Sequence, residues 1–155
     1  MTGEHNVILD DKFRLTLPAQ LRKGLNEITI KIMKGNDGCL WLYTIQKWEE
    51  RFGKVISELT DPFSAKDLRL QRKYISSTQE IEIDKSGRIL IPETLRKYAG
   101  IDKDCIVSGM LEFCEIWDSK RHAEYIDESD EENKREFDNA SEDFSQIIKR
   151  KKGII

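Results

Sequence analysis

One motif occurs twice in this chain, and the spacing between the copies is constant. Asp10-Asp11-Lys12-Phe13-Arg14-Leu15-Thr16-Leu17-Pro18 with Leu21-Arg22 is matched by Asp84-Lys85-Ser86-Gly87-Arg88-Ile89-Leu90-Ile91-Pro92 with Leu95-Arg96. The leading aspartates, the first arginines, the prolines and the last arginines each recur 74 residues apart. A unit repeated with its internal chemistry intact restricts the fold to two related modules. In a chain of 155 residues each module is small, so the two are expected to share a core or to oligomerise.

Charge is spread unevenly over the chain. The formal net charge is −3, which argues against a generic polycation. Residues 10–23 and 84–97 nevertheless each hold two acids and four bases. Residues 127–155 hold nine acids and six bases. The repeated stretches are therefore basic spots on a neutral body that carries an acidic tail. Nucleic-acid binding depends on such a distribution more than on the sum. The cysteines, Cys39, Cys105 and Cys114, are odd in number and form no CxxC pair, so neither a disulfide framework nor a zinc site is expected. They read as small buried strand residues in a reducing compartment. No apolar run approaches a membrane span and the N-terminus does not read as a signal peptide, so a cytoplasmic protein without cofactors is expected.

Both copies read alike along the chain. Val7–Leu9 is a short strand, Asp10–Phe13 a charged turn, and Arg14–Leu17 an alternating, half-buried strand closed by Pro18. Pro18 opens a short helix that Gly24 ends. Ile28–Ile32 and Leu40–Tyr43 form a hairpin around the turn at 34–38. In the second copy, Glu80–Ile83 and Arg88–Ile91 flank the turn, Pro92–Tyr98 is a helix capped by Gly100, and Ile106–Leu111 with Phe113–Trp117 forms a hairpin. Between the copies, Trp48, Phe52, Val55, Ile56 and Leu59 share a helical face, and Asp61-Pro62 breaks it. Ser64 with Asp67 caps a second helix carrying Leu68, Gln71, Arg72 and Ile75. Asp127–Asp143 reads as a solvated helix or as disorder, with Phe137, Phe144, Ile147 and Ile148 favouring a helix. Lys149–Lys152 reads as a mobile basic tail. The expected divisions are 5–47 and 79–122 for the repeats, 48–78 for a helical linker and 123–155 for the tail.

The chemistry-bearing residues cluster at the repeated turns. Asp10 with Arg14, and Asp84 with Arg88, can brace each turn as an internal ion pair. That role is compatible with a second one, in which Lys12, Arg14, Lys85 and Arg88 meet phosphates and base edges. Arginine suits this because its planar fork matches phosphate and guanine bidentately. Arg22 and Arg96 end the short helices and are candidate phosphate contacts, although basic residues there also compensate the helix dipole. No catalytic constellation is legible. His5 and His122 are isolated, Ser86-Gly87 is no nucleophile elbow, and no phosphate loop or dinucleotide fingerprint occurs. An enzyme is not expected.

At these motifs the chain resembles the MraZ family of the AbrB/SpoVT-type DNA-binding superfamily. The resemblance is carried by both motif copies, by Ala99-Gly100-Ile101 and by Glu115-Ile116-Trp117-Asp118, and covers residues 5–126. It implies a mainly β fold with flanking α-helices. Two swapped-hairpin units would form one pseudo-two-fold β-barrel per chain. It also implies rings of several subunits, nucleoid association, and binding of double-stranded DNA at short direct repeats in the promoter of the division and cell-wall gene cluster. By position, the implied contacts are Lys12, Arg14, Lys85 and Arg88, supported by Arg22 and Arg96. Asp10, Asp84 and Gly87 shape the turns.

The copies depart from each other at one place. Gly87 precedes the second arginine and Phe13 the first. A positive backbone angle there favours glycine, so the first copy is expected to use a different turn, with Arg14 aimed less well. A second class of function, an antitoxin-like or structural protein-interaction module, remains open on the same fold. The acidic tail with its aromatic residues supports it, and the duplicated motif opposes it.

Overall fold

The structure, a computed structural model, describes residues 1–127, 130–151 and 153. In chain order the elements are β1 (Glu4–Ile8), β2 (Arg14–Thr16), α1 (Ala19–Leu25), β3 (Thr29–Lys34), β4 (Leu40–Thr44), α2 (Ile45–Trp48), α3 (Lys54–Leu59), α4 (Ala65–Gln71), β5 (Gln79–Glu82), β6 (Arg88–Leu90), α5 (Glu93–Ala99), β7 (Asp104–Gly109), β8 (Cys114–Asp118), α6 (Ser119–Tyr125) and α7 (Glu131–Lys151). Residues 1–119 form one compact unit and residues 120–155 another.

The first unit is a mainly antiparallel sheet with helices. Its strands run in the order β1-β7-β8-β4-β3-β5, and β2 and β6 make a separate two-stranded ribbon. Among the described residues this is an open sheet plus a ribbon, and not the closed barrel that the resemblance implies. Among the described residues β1 and β5 are the edge strands, each paired on one side.

Pairing runs between the copies as well as within them. The hairpins β3–β4 and β7–β8 are internal to their copies. Strand β1 of the first copy pairs with β7 of the second, and β5 of the second with β3 of the first. Two ladders join equivalent strands. Trp41 faces Glu115 at the centre of β4–β8, and Leu15 faces Ile89 at the centre of the ribbon; both pairs are 74 residues apart.

This exchange explains how so modest an apolar content makes a core. Leu15, Leu17, Leu21 and Leu25 from the first copy meet Ile89, Ile91, Leu95 and Ala99 from the second in a single buried cluster. Fully burying one such Leu or Ile contributes about 1.5–3 kcal/mol. Neither copy owns this core. The three cysteines are buried. Burial pushes the thiol of Cys105 up to about 12 and that of Cys114 to about 11. The Cys39 thiol is pushed up as well, with burial the largest cause and Glu115 next.

A second cluster fastens the linker. Met33, Tyr43 and Trp48 pack with Trp41, Phe52, Tyr74, Ile75 and Phe113. The Tyr43 and Phe113 rings stack at 4.9 Å, and Phe52 stacks on Tyr74 at 5.5 Å. The linker differs from the expected single apolar face. Glu49–Gly53 and Arg72–Ser76 are π-helical. Each such stretch winds wider than an α-turn and rotates the next residues about the helix axis. Trp48, before the first such stretch, is buried, while Val55 and Leu59, after it, are 41% and 77% exposed. Ser64 does cap α4, accepting from the Asp67 N–H at 3.2 Å.

Two helix ends differ from the expected ones. Helix α1 continues through Gly24 and ends at Asn26, which takes the left-handed conformation (φ 49°). Helix α5 ends at Gly100 as expected, with φ 61°. Asparagine tolerates that region because its short polar side chain hydrogen-bonds locally. In the second unit, Lys149, Arg150 and Lys151 form the last turn of α7 rather than a tail beyond it. Lys152, and Glu128 and Ser129 of the acidic stretch, lie outside the described residues. Among the described residues, no helix is long and apolar enough to cross a membrane.

Candidate nucleic-acid interface

The ribbon sets the geometry of the repeated motif. Its strands alternate strictly. Leu15, Leu17, Ile89 and Ile91 are buried, while Thr16 and Leu90 are exposed and Arg14 and Arg88 half-buried. Period-two geometry therefore puts Arg14, Thr16, Arg88 and Leu90 on one outward face. Arg14 stands opposite Leu90, and Thr16 opposite Arg88. The two arginines are thus diagonal neighbours, a relation that separates residues by about 7–8 Å.

Each arginine is fixed by its aspartate. Asp10 Oδ1 accepts from the backbone N–H groups of Lys12 and Arg14 at 2.9 and 2.8 Å. Its Oδ2 accepts from Arg14 Nε at 3.0 Å. Asp84 repeats the pattern with the N–H groups of Ser86 and Arg88, both at 2.9 Å, and with Arg88 Nε at 2.8 Å. One carboxylate thus closes the turn and holds the guanidinium by its inner edge. Among the described residues each guanidinium is gripped through Nε alone. The internal ion pair read from the sequence is present and does not consume the arginine.

These contacts hold both carboxyls below the usual carboxylate range, the Arg14 and Arg88 backbone N–H bonds being the largest causes. A carboxyl whose folded pKa is lowered adds stability above its unfolded value near 4 and loses it as pH falls through the folded value. The melting temperature of the wild type is therefore expected to fall below about pH 4 more steeply than that of an Asp10→Asn, Asp84→Asn double variant. Melting curves across pH 7 to 3 provide the check. Parallel pH profiles for the two proteins would refute the brace.

The two turns share one backbone shape, contrary to the expected difference. Phe13 has φ 62° and Gly87 has φ 80°. Asp10 O accepts from Phe13 N–H at 3.0 Å, and Asp84 O from Gly87 N–H at 2.9 Å. A side chain in this region costs roughly 1–2 kcal/mol. The Arg96 guanidinium lies 3.6 Å above the centre of the Phe13 ring, a contact that offsets about 0.5–1 kcal/mol at such sites. Arg14 is therefore presented like Arg88 and not in a distorted turn.

The remaining candidates are placed less symmetrically. Arg22 lies over the Gly87 backbone, where a β-carbon would collide with its Nη1. Arg96 lies over Phe13 and donates to the Ile91 carbonyl at 3.2 Å. Each helix arginine thus covers the other copy's turn, which gives both a packing role. Lys12 and Lys85 are exposed. They are not equivalent, since the partner of Lys12 at the 74-residue offset is Ser86 and that of Lys85 is Asp11. Thr16 and Leu90 belong to the same face and were missed as candidates. The parity of their positions with Arg14 and Arg88 is the signal that marks them.

Comparison with known proteins gives a consistent result. The model of the family described as "MraZ protein, putative antitoxin-like" matches residues 1–72 and again residues 74–145. The Transcriptional regulator MraZ of Treponema denticola is 40% identical over 147 residues, covering 95% of this chain and 99% of that protein. Proteins of the same name from two strains of Treponema pallidum are 37% identical over 129 residues, covering 83% of this chain and 86% of theirs. A family match over both copies, and relatives aligned over nearly the whole length, establish that the chain belongs to the MraZ family.

Proposed function

We propose that this protein is a sequence-specific DNA-binding transcriptional regulator that works as a homo-oligomer. One observation carries the reading: Arg14 and Arg88, each held by an aspartate through Nε, are diagonal neighbours on the outward face of a two-stranded ribbon. A two-stranded ribbon fits the major groove, and arginine forks match guanine edges and phosphates there. Lys12, Lys85, Arg22 and Arg96 add phosphate contacts around it. The name that the relatives carry, transcriptional regulator, agrees.

Finer features belong to the same proposal. The cross-copy pairing suits two swapped-hairpin units, 5–47 and 79–122, related by a pseudo-two-fold axis. Residues 48–78 link them, and 123–155 form the tail. Exposed Ile8, Ile28 and Leu111, at 61%, 70% and 73%, supply apolar surface for subunit contacts. A ring built through such contacts would set several ribbons along short direct repeats in the promoter of the division and cell-wall genes. It would gain avidity without a large single-site affinity.

The test is a gel-shift titration of the full chain on DNA from upstream of its gene, against the same DNA with its repeats scrambled. Tighter, strongly salt-dependent binding to the intact repeats is expected. Equal binding to both would overturn sequence specificity, and no binding would overturn the regulator reading. The protein-interaction reading draws on exposed Phe137, Phe144 and Ile147 of α7. A stoichiometric partner protein lost on deleting residues 127–155, in a protein that fails to bind DNA, would favour it.

A further inference from the structure

The two ends of the ribbon carry different chemistry. At one end Leu90 faces Arg14, and the Phe13 carbonyl accepts from the Ile91 N–H at 3.0 Å. At the other, Thr16 faces Arg88, and the Gly87 carbonyl accepts from the Leu17 N–H at 2.9 Å. One end therefore presents Phe13 and Leu90, 45% and 54% exposed. The other presents a buried glycine and a threonine at the equivalent positions.

The arginines over the turns deepen the difference. Arg22 sits against the Gly87 backbone in the space that a side chain would need. At the first turn the Phe13 ring fills that space, and Arg96 stacks on top of it. A phenyl ring and a tucked guanidinium exclude one another, so the residue at this position sets the height of the arginine above the ribbon. Two backbone turns of the same shape thus offer one apolar and one polar surface, each beside a braced arginine.

Among groups on the major-groove edge, the thymine C5 methyl is the apolar one, and phenylalanine and other apolar side chains contact it. We propose that Phe13 and Leu90 read thymine methyl groups at one end of each subunit's footprint, and that the Thr16–Gly87 end does not. The inference rests on the regulator reading of the ribbon and adds to it a base, a polarity and two specificity-determining side chains. The arginines supply attraction for DNA at both ends, and the apolar pair supplies discrimination at one.

The experiment uses the full chain in three steps. Selection from a randomised duplex pool is expected to return a motif with thymine fixed at one end of each subunit's footprint and not at the other. Replacing that thymine with uracil, which lacks the methyl, is expected to weaken wild-type binding about fourfold per methyl. The double variant Phe13→Gly, Leu90→Thr copies the second copy's residues into these positions and suits the φ 62° backbone. It should fold, bind with an unchanged salt slope and ignore the uracil replacement.

A wild type that selects a motif but tolerates uracil overturns this inference alone, as does a double variant that remains sensitive. A variant whose oligomer size shifts while its uracil sensitivity persists assigns Phe13 and Leu90 to subunit contacts, and also overturns it. A wild type that binds no DNA overturns the regulator reading and this inference together.

Discussion

Arg88→Ala is expected to weaken binding to repeat-containing DNA by roughly tenfold to a hundredfold, since a bidentate arginine contact is worth about 1–3 kcal/mol. Arg14→Ala should do about the same. The Phe13 turn has the Gly87 backbone, and Asp10 grips Arg14 as Asp84 grips Arg88. Equality of the two effects is the sharper part of the prediction, because the sequence alone suggests a weakened first site. Binding isotherms at several salt concentrations separate the contributions. Loss of a phosphate contact lowers the salt slope by about 0.9, whereas loss of a base-edge contact leaves it unchanged. Thermal stability should hardly move, because both pairs lie at the surface and exposed ion pairs add little. A variant that melts normally and binds DNA like the wild type would remove these residues from the interface.

The repeat makes the braced turns of the candidate site legible in the sequence. Matching Asp10 with Asp84 and Arg14 with Arg88 locates the braced turns, because one carboxylate can satisfy a turn's N–H groups and an arginine four residues on. Alternation in Arg14–Leu17 gives the strand and its buried face. Three things were not legible, each for a physical reason. Phe13 reads as an obstacle to the turn, since the compensating Arg96 is 83 residues away and comes from the other copy. Val55 and Leu59 read as core, since a helical face presumes 3.6 residues per turn and the Glu49–Gly53 stretch departs from it. Gly24 reads as a helix stop, but Met1 packs against it and the chain finds its left-handed residue two positions later at Asn26. Local pattern carries local structure; the exceptions at Phe13 and Gly24 come from contacts made far along the chain, and that at Val55 and Leu59 from a change of helix type.

The largest effect on stability is expected at the centre of the ribbon. Leu15 and Ile89 face each other there, 0% and 1% exposed. The ladder they belong to is three residues long on each strand, so backbone hydrogen bonds alone hold it weakly. Its attachment comes from the inward side chains Leu15, Leu17, Ile89 and Ile91, all within the shared core. Truncating a buried leucine or isoleucine to alanine removes transfer energy and leaves a cavity, together about 2–5 kcal/mol. Leu15→Ala and Ile89→Ala should each lower the melting temperature by roughly 10–20 °C. The double variant should lose less than the sum of the two, because the residues share one cavity. DNA affinity at low temperature should fall too, although neither side chain reaches the outward face. The same three-residue strands that bury Leu15 and Ile89 aim Arg14 and Arg88, and a loosened ribbon no longer holds the arginines as diagonal neighbours. Melting curves and binding isotherms on the same three variants distinguish this from a purely local cavity. If stability fell while affinity at a temperature well below melting stayed intact, the ribbon's inner face would support the fold without positioning the arginines. The pairing of copies would then matter for stability alone.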